Sequence, residues 1–144
     1  MNILFLCVGN SARSQIAEGL AKSMLVKEHN IKSAGSSPSG KVHPHAIKTM
    51  DDIGIDIRDQ YSKSIDDLNK NFLDNLDYVI TLCAEEVCPL IQSNATKLHW
   101  INVDPADKSY NNLELETTFK KTRKDIYNLL KKFFLSEIEL NSSN

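Results

Sequence analysis

Apolar and polar positions alternate along the chain in blocks whose periods switch between those of strands and helices. Asn2-Ile-Leu-Phe-Leu6 is a continuous apolar run that ends in a Gly-containing loop, the pattern of a buried strand. Ile16, Ala17, Leu20, Ala21 and Met24 then recur at helical spacing. Ile31 to Ser33 predicts a short strand, closed by the Ala-Gly-Ser-Ser-Pro-Ser-Gly loop. Pro44 to Ile53 predicts a helix with Ala46, Ile47 and Met50 inward and Gly54 as its stop. Ile65 to Leu76 fits a further helix through Ile65, Leu68, Phe72, Leu73 and Leu76. Asp77 to Leu82 is β-rich and continuous, as a central parallel strand is, and Leu98 to Val103 predicts another strand. A long amphipathic helix is expected from Leu113 to Glu139, with Leu115, Phe119, Ile126, Leu129, Leu130 and Phe133 on one stripe. Strands alternating with helices predict an α/β sheet with right-handed crossovers. No repeat or linker interrupts 1–140, which are expected to form one domain, with 141–144 as a frayed tail.

Composition narrows the classes of function. The chain has 144 residues, with 17 Lys and Arg against 19 Asp and Glu, a formal net charge of −2. Without a basic field, a nucleic-acid partner is not expected. No apolar run approaches the roughly 20 residues of a membrane span, and the apolar N-terminal stretch lacks a preceding positive charge. A cytoplasmic protein is the expectation. Three cysteines are an odd number at sparse spacing, which argues against a disulfide scaffold and leaves inert core residues or reactive thiols.

The strongest chemical signal is Cys7-Val8-Gly9-Asn10-Ser11-Ala12-Arg13-Ser14, between the first strand and the first helix. Open α/β sheets bind ligands at the carboxyl ends of strands. Successive amides in such a loop make an anion nest, which the helix N-terminus reinforces. Arg13 can clamp two oxygens of a tetrahedral oxyanion, and the same positive partial charges favour a thiolate at Cys7. That thiolate would be a nucleophile aimed at the bound centre. The plainer alternative is a Cys ending a core strand and a solvated Arg.

Cys7 to Gly19 resembles the active-site loop of the low-molecular-weight protein tyrosine phosphatase superfamily, which includes arsenate reductases that use three cysteines. The similarity extends from Asn2 to about Lys132. It implies a four-stranded parallel sheet flanked by helices, and an oxyanion cradle of Val8, Gly9, Asn10, Ser11, Ala12, Arg13 and Ser14.

Two more clusters bear on the choice within that superfamily. Thr81-Leu-Cys83-Ala-Glu-Glu-Val-Cys88-Pro89 places Cys83 at the carboxyl edge of a strand, on the edge that also carries Cys7. Spacing alone leaves open a buried Cys83 beside a surface Cys88. A zinc site needs four ligands, and only His99 offers itself as a third. The segment resembles the redox segment of thioredoxin-coupled arsenate reductases, which implies Cys83 and Cys88 as resolving thiols. Asp104 follows a strand in an Asp-Pro turn. Turn formation accounts for it locally, and the resemblance adds the role of general acid. Ala106 and Asp107 stand where phosphatases of the superfamily tend to carry aromatic residues, which favours a small inorganic oxyanion.

The resemblance thus implies a reductase of arsenate, with phosphate or sulfate as analogues, drawing on thioredoxin or a glutaredoxin-type reductant and needing no metal or organic cofactor. A low-molecular-weight protein tyrosine phosphatase working through a phosphocysteine at Cys7 is the alternative enzyme, and an oxyanion-binding or redox-sensing module the alternative without turnover. Some relatives hold potassium with the loop Asn, a Ser and an acidic residue. Asn10 and Ser33 match, but Lys63 stands at the acidic position, so no potassium dependence is expected. His43 and His45 flank Pro44 and are read as a solvated helix start rather than a metal pair.

Overall fold

The computed structural model describes residues 1–25, 29–84 and 88–142, the last five by their backbone only. Strand β1 (Asn2–Cys7) leads through the loop to helix α1 (Arg13–Met24), then β2 (Asn30–Gly35) and α2 (Pro44–Asp51). A single 3-10 turn (Ile65–Asp67) and α3 (Lys70–Asp74) precede β3 (Tyr78–Thr81) and β4 (Thr96–His99), and α4 (Asn112–Ser142) ends the described chain. The four strands form one sheet in the order β2-β1-β3-β4, every pairing parallel. Among the described residues no helix is long and apolar enough to cross a membrane.

β1 lies between β2 and β3, and its near-continuous apolar sequence follows from burial on both faces. Ile3 and Phe5 point into the core that α1, α2 and α4 close, while Leu4 and Leu6 point to the opposite side, against Phe72, Leu76 and Val79. The chain leaves β1 toward β2 on one side and later returns to β3 on the other. The topological switch point is therefore the carboxyl end of β1, where a crevice opens and the Cys7 loop lies.

The larger differences from the pattern reading fall in four elements. The expected helix from Ile65 to Leu76 is two elements. Ser64 and Asp67 form a capping box that closes one turn, Leu68 is extended, and Asn69 caps a new helix through Asn71 N–H. Apolar spacing ran across a second N-cap. The strand expected over Leu98 to Val103 occupies Thr96–His99 instead. Its ladder ends where Trp100 N–H reaches Thr81 O, because β3 itself ends at Thr81 and offers β4 no further partner. Ile101 and Val103 are consequently exposed. The strand expected at Ile31 to Ser33 is longer and takes in Ala34 and Gly35. The final helix extends through Asn141 and Ser142, which were expected to fray, whereas 143 and 144 lie outside the described residues. Its buried seam includes Phe134 and also Thr122 and Arg123, and Arg123 Nη1 donates to Thr49 O at 2.6 Å, tying α4 to α2.

Candidate functional site

The loop after β1 is held from outside by its carbonyls. Val8 O accepts Ser37 N–H, Gly9 O accepts Ser39 N–H and the Ser62 hydroxyl, and Ser11 O accepts His43 N–H, at 2.8 to 3.1 Å. Asn10 O accepts Gln15 Nε2 and Ala12 O accepts Ile16 N–H. With its carbonyls turned outward, the loop presents its amide side to the Cys7 sulfur, and Asn10 N–H reaches Sγ at 3.3 Å. Helix α1 starts at Ala12 without a side-chain cap, so its first amides are not spent on one. The loop contains Gly9, but its backbone is not left-handed there. The left-handed residue is instead Asn10, at φ 47°, a conformation Asn tolerates. The glycine that the loop requires is Gly35, at the end of β2. A Cβ there would lie 2.3 Å from Val8 O and 3.0 Å from Asn10 N, so only glycine lets the loop pass this close.

Cys7 is the free thiol of the described chain and is 2% exposed. Its Sγ lies 2.8 Å from Ser14 Oγ. Asn10 Nδ2 donates to that same oxygen at 2.8 Å, which leaves the hydroxyl proton for the sulfur. Asn10 Nδ2 also donates to Ser33 Oγ, and Ser33 Oγ donates to Glu18 Oε1 at 2.6 Å. A hydrogen-bonded chain therefore links Glu18 to Cys7, with donation running outward from the Asn10 amide, through Ser33 to Glu18 and through Ser14 to Cys7. Lys63 closes it from the other side. Its N–H donates to Asn10 Oδ1, and its Nζ lies 3.6 Å from Glu18 Oε1 and donates to Tyr61 O. Burial presses the Lys63 ammonium below its ordinary pKa, and the Glu18 carboxylate acts in the opposite direction. The place where a potassium ion would meet Glu18, Ser33 and Asn10 thus already has a cation, and these residues do not suit a second one.

Arg13 is buried, and its Nη1 donates to Asn102 O at 2.9 Å and Leu82 O at 3.4 Å. These two carbonyls anchor the side chain between the end of β3 and the segment after β4. Next to Leu82, Cys83 is fully buried and disulfide-bonded to half-buried Cys88, with Cα atoms 5.6 Å apart. Residues 85–87, between them, lie outside the described residues. Asp104 is exposed, and its Oδ1 accepts Ala106 N–H at 2.9 Å, the bond an Asp-Pro turn makes. It also lies within electrostatic reach of His43, whose own N–H holds Ser11 O of the loop.

His43 corrects the reading of a solvated helix start. Its ring is half-buried, 4.8 Å from that of Phe119, and its Nδ1 accepts His45 N–H as the cap of α2. Burial, then the neighbouring His45, holds its pKa below the ordinary imidazole value, while Asp104 raises it. The neutral ring carries its proton on Nε2. No group of three or more metal-ligating side chains occurs among the described residues. Glu18, the Asn102 carbonyl and Gly35 were missed in the sequence. Glu18 sits in the helical pattern as an ordinary polar residue, a backbone carbonyl has no sequence signal, and Gly35 was visible only as part of a flexible loop.

The family model for low molecular weight phosphotyrosine protein phosphatase matches residues 2–143. An arsenate reductase of Halalkalibacterium halodurans is 43% identical over 133 residues, covering 91% of this chain and 93% of its own. The solved structure of an arsenate reductase in the phosphate binding state has a TM-score of 0.75 at 33% identity, over 93% of this chain and 96% of that one. A thioredoxin-dependent arsenate reductase from Corynebacterium glutamicum has a TM-score of 0.66 at 28% identity, over 93% of this chain and 62% of that one.

Proposed function

We propose that this chain, which belongs to the low molecular weight phosphotyrosine protein phosphatase family, is an arsenate reductase that converts arsenate to arsenite through three cysteines. The observation that carries the reading is the pairing of Cys83 with Cys88 beside a Cys7 that stays free at the foot of an amide-lined loop. A phosphatase needs only the loop thiol. A further pair of thiols beside it serves a reaction that consumes two electrons.

In the proposed cycle the loop amides and Arg13 hold the oxygens of arsenate. The Cys7 thiolate, met by Ser14 Oγ and Asn10 N–H, attacks arsenic, and Asp104 protonates the departing hydroxide to water. Cys83 then attacks the Cys7 sulfur. The S–As bond breaks with its electron pair on arsenic, arsenite leaves, and a Cys7–Cys83 disulfide remains. Cys88 attacks Cys83, Cys7 departs as thiolate, and the Cys83–Cys88 bond forms. A cytoplasmic thioredoxin or glutaredoxin-type dithiol returns the two electrons. Steady-state arsenate reduction with each purified reductant, alongside hydrolysis of p-nitrophenyl phosphate, tests the reading. Arsenate-dependent consumption of a dithiol is the expected outcome, and ester hydrolysis without it would assign the chain to the phosphatases.

Asp104→Asn is expected to slow the first chemical step by roughly 10²–10⁴-fold, the usual range for general acid catalysis. Sulfate binding should be unchanged or slightly stronger, because a nearby negative charge is lost. A single-turnover rate with arsenate equal to that of the unaltered protein would leave Asp104 only its hydrogen bond to Ala106.

Potassium should not accelerate the reaction, because Lys63 already faces Glu18 beside Ser33 and Asn10. Equal kcat/KM in potassium chloride and in tetramethylammonium chloride of the same ionic strength is expected. Several-fold activation by potassium would show that Lys63 leaves room for the ion.

A further inference from the structure

Cys88 opens onto a groove whose opposite wall takes no part in the chemistry described so far. β3 and β4 pair in the register Val79↔Lys97 and Thr81↔His99, so these four side chains share one face at the sheet edge. The segment that begins at Cys88 lies across that face and encloses about 240 Å³. Most of the remaining lining is apolar, including Leu90, which is 91% exposed. Besides Cys88, the titratable or charged side chains that line the groove among the described residues are Lys97 and His99, both from β4. His99 Nδ1 lies 2.5 Å from Thr81 Oγ1, a bond that fixes the ring by one nitrogen and leaves Nε2 for another partner.

We propose that His99 is a positioning residue for the Cys88 thiolate, holding it in the groove through its free ring nitrogen. The inference rests on the three-cysteine reading and assigns the group that tunes its last thiol. Cys83 is fully buried, so a reductant thiolate meets the half-buried Cys88 sulfur, and Cys83 leaves as thiolate. The reductant's second thiolate then attacks its own sulfur in the mixed disulfide, and the S–S electron pair departs on Cys88. Two electrons have then passed from dithiol to disulfide. A thiol leaves faster when its thiolate is stabilised, and an adjacent imidazolium or ammonium supplies that stabilisation. The same charge keeps Cys88 ionised for its attack on Cys83 in the next cycle. Thr81 contributes by orienting the ring, and Lys97 by adding fixed positive charge.

The experiment is the pH dependence of iodoacetamide alkylation of the reduced full-length protein, resolved by peptide mass so that each cysteine is read separately. In His99→Gln the alkylation midpoint of Cys88 should rise by about one pH unit. The midpoint of Cys7 should stay in place and serves as the check on folding. Steady-state turnover should fall several-fold, while the first arsenite per enzyme, which needs only Cys7 and Cys83, appears at the unaltered rate. Thr81→Val, which frees the ring without removing it, should move the Cys88 midpoint in the same direction by less. Cys88 midpoints unchanged in both variants would overturn the proposal. Sustained turnover by Cys88→Ser would remove the relay instead, and the alkylation midpoint would still report on His99.

Discussion

Cys7→Ser is expected to abolish arsenate reduction and any phosphate-ester hydrolysis alike. The sulfur sits at 2% exposure and takes contacts from Ser14 Oγ and Asn10 N–H, both suited to a resident negative charge. A serine hydroxyl keeps its proton near neutral pH, so the same donors meet a neutral oxygen and the nucleophile is lost. The loss should be on the order of 10³-fold or more, as for other removed nucleophiles. Sulfate binding should survive, because the outward-held carbonyls and Arg13 that shape the loop are untouched. Arsenite release, p-nitrophenyl phosphate turnover and sulfate affinity measured on one preparation check all three points. Retained turnover of either kind would remove Cys7 from the chemistry.

Cys88→Ser separates a reductase from a phosphatase. It should release about one arsenite per enzyme and then stop, with a Cys7–Cys83 disulfide readable by peptide mapping. The unaltered protein, oxidised without a reductant, should carry the Cys83–Cys88 bond that the structure contains. Arrest follows from burial. Cys83 is fully buried, so external thiols reach the Cys7–Cys83 bond poorly, and Cys88 is the thiol placed to open it. A phosphatase would show neither disulfide as an obligatory intermediate, and its turnover would be indifferent to Cys88. Full multiple-turnover reduction by Cys88→Ser with thioredoxin would end the relay while leaving the Cys7 loop chemistry intact.

The difference between what pattern reading found and what it missed lies in the distance along the chain over which each signal acts. β1, α1, α2 and α4 are long or strongly periodic, and periodicity is a property of neighbouring residues. The helix spanning Ile65 to Leu76 failed because Ser64 and Asn69 each start an element five residues apart, and apolar spacing does not register a cap. β4 failed at its end because a strand needs a partner, and β3 runs out at Thr81.

For the site, the chemically able groups are legible in the local order of residues: a thiol and a guanidinium six residues apart between a strand and a helix, and two further cysteines after the third strand. Their identities are local, and so was the inference. How those groups are held depends on the fold. It set β1 at the switch point of the sheet, brought Gly35 under Val8, and turned the loop carbonyls to Ser37, Ser39, Ser62 and His43. It placed Lys63 against Glu18 across 45 residues of chain, and His99 on the groove that Cys88 lines. Backbone carbonyls, a close approach that only hydrogen permits and ion pairs distant in sequence leave no periodic trace. They exist only once the sheet has aligned the strands that carry them.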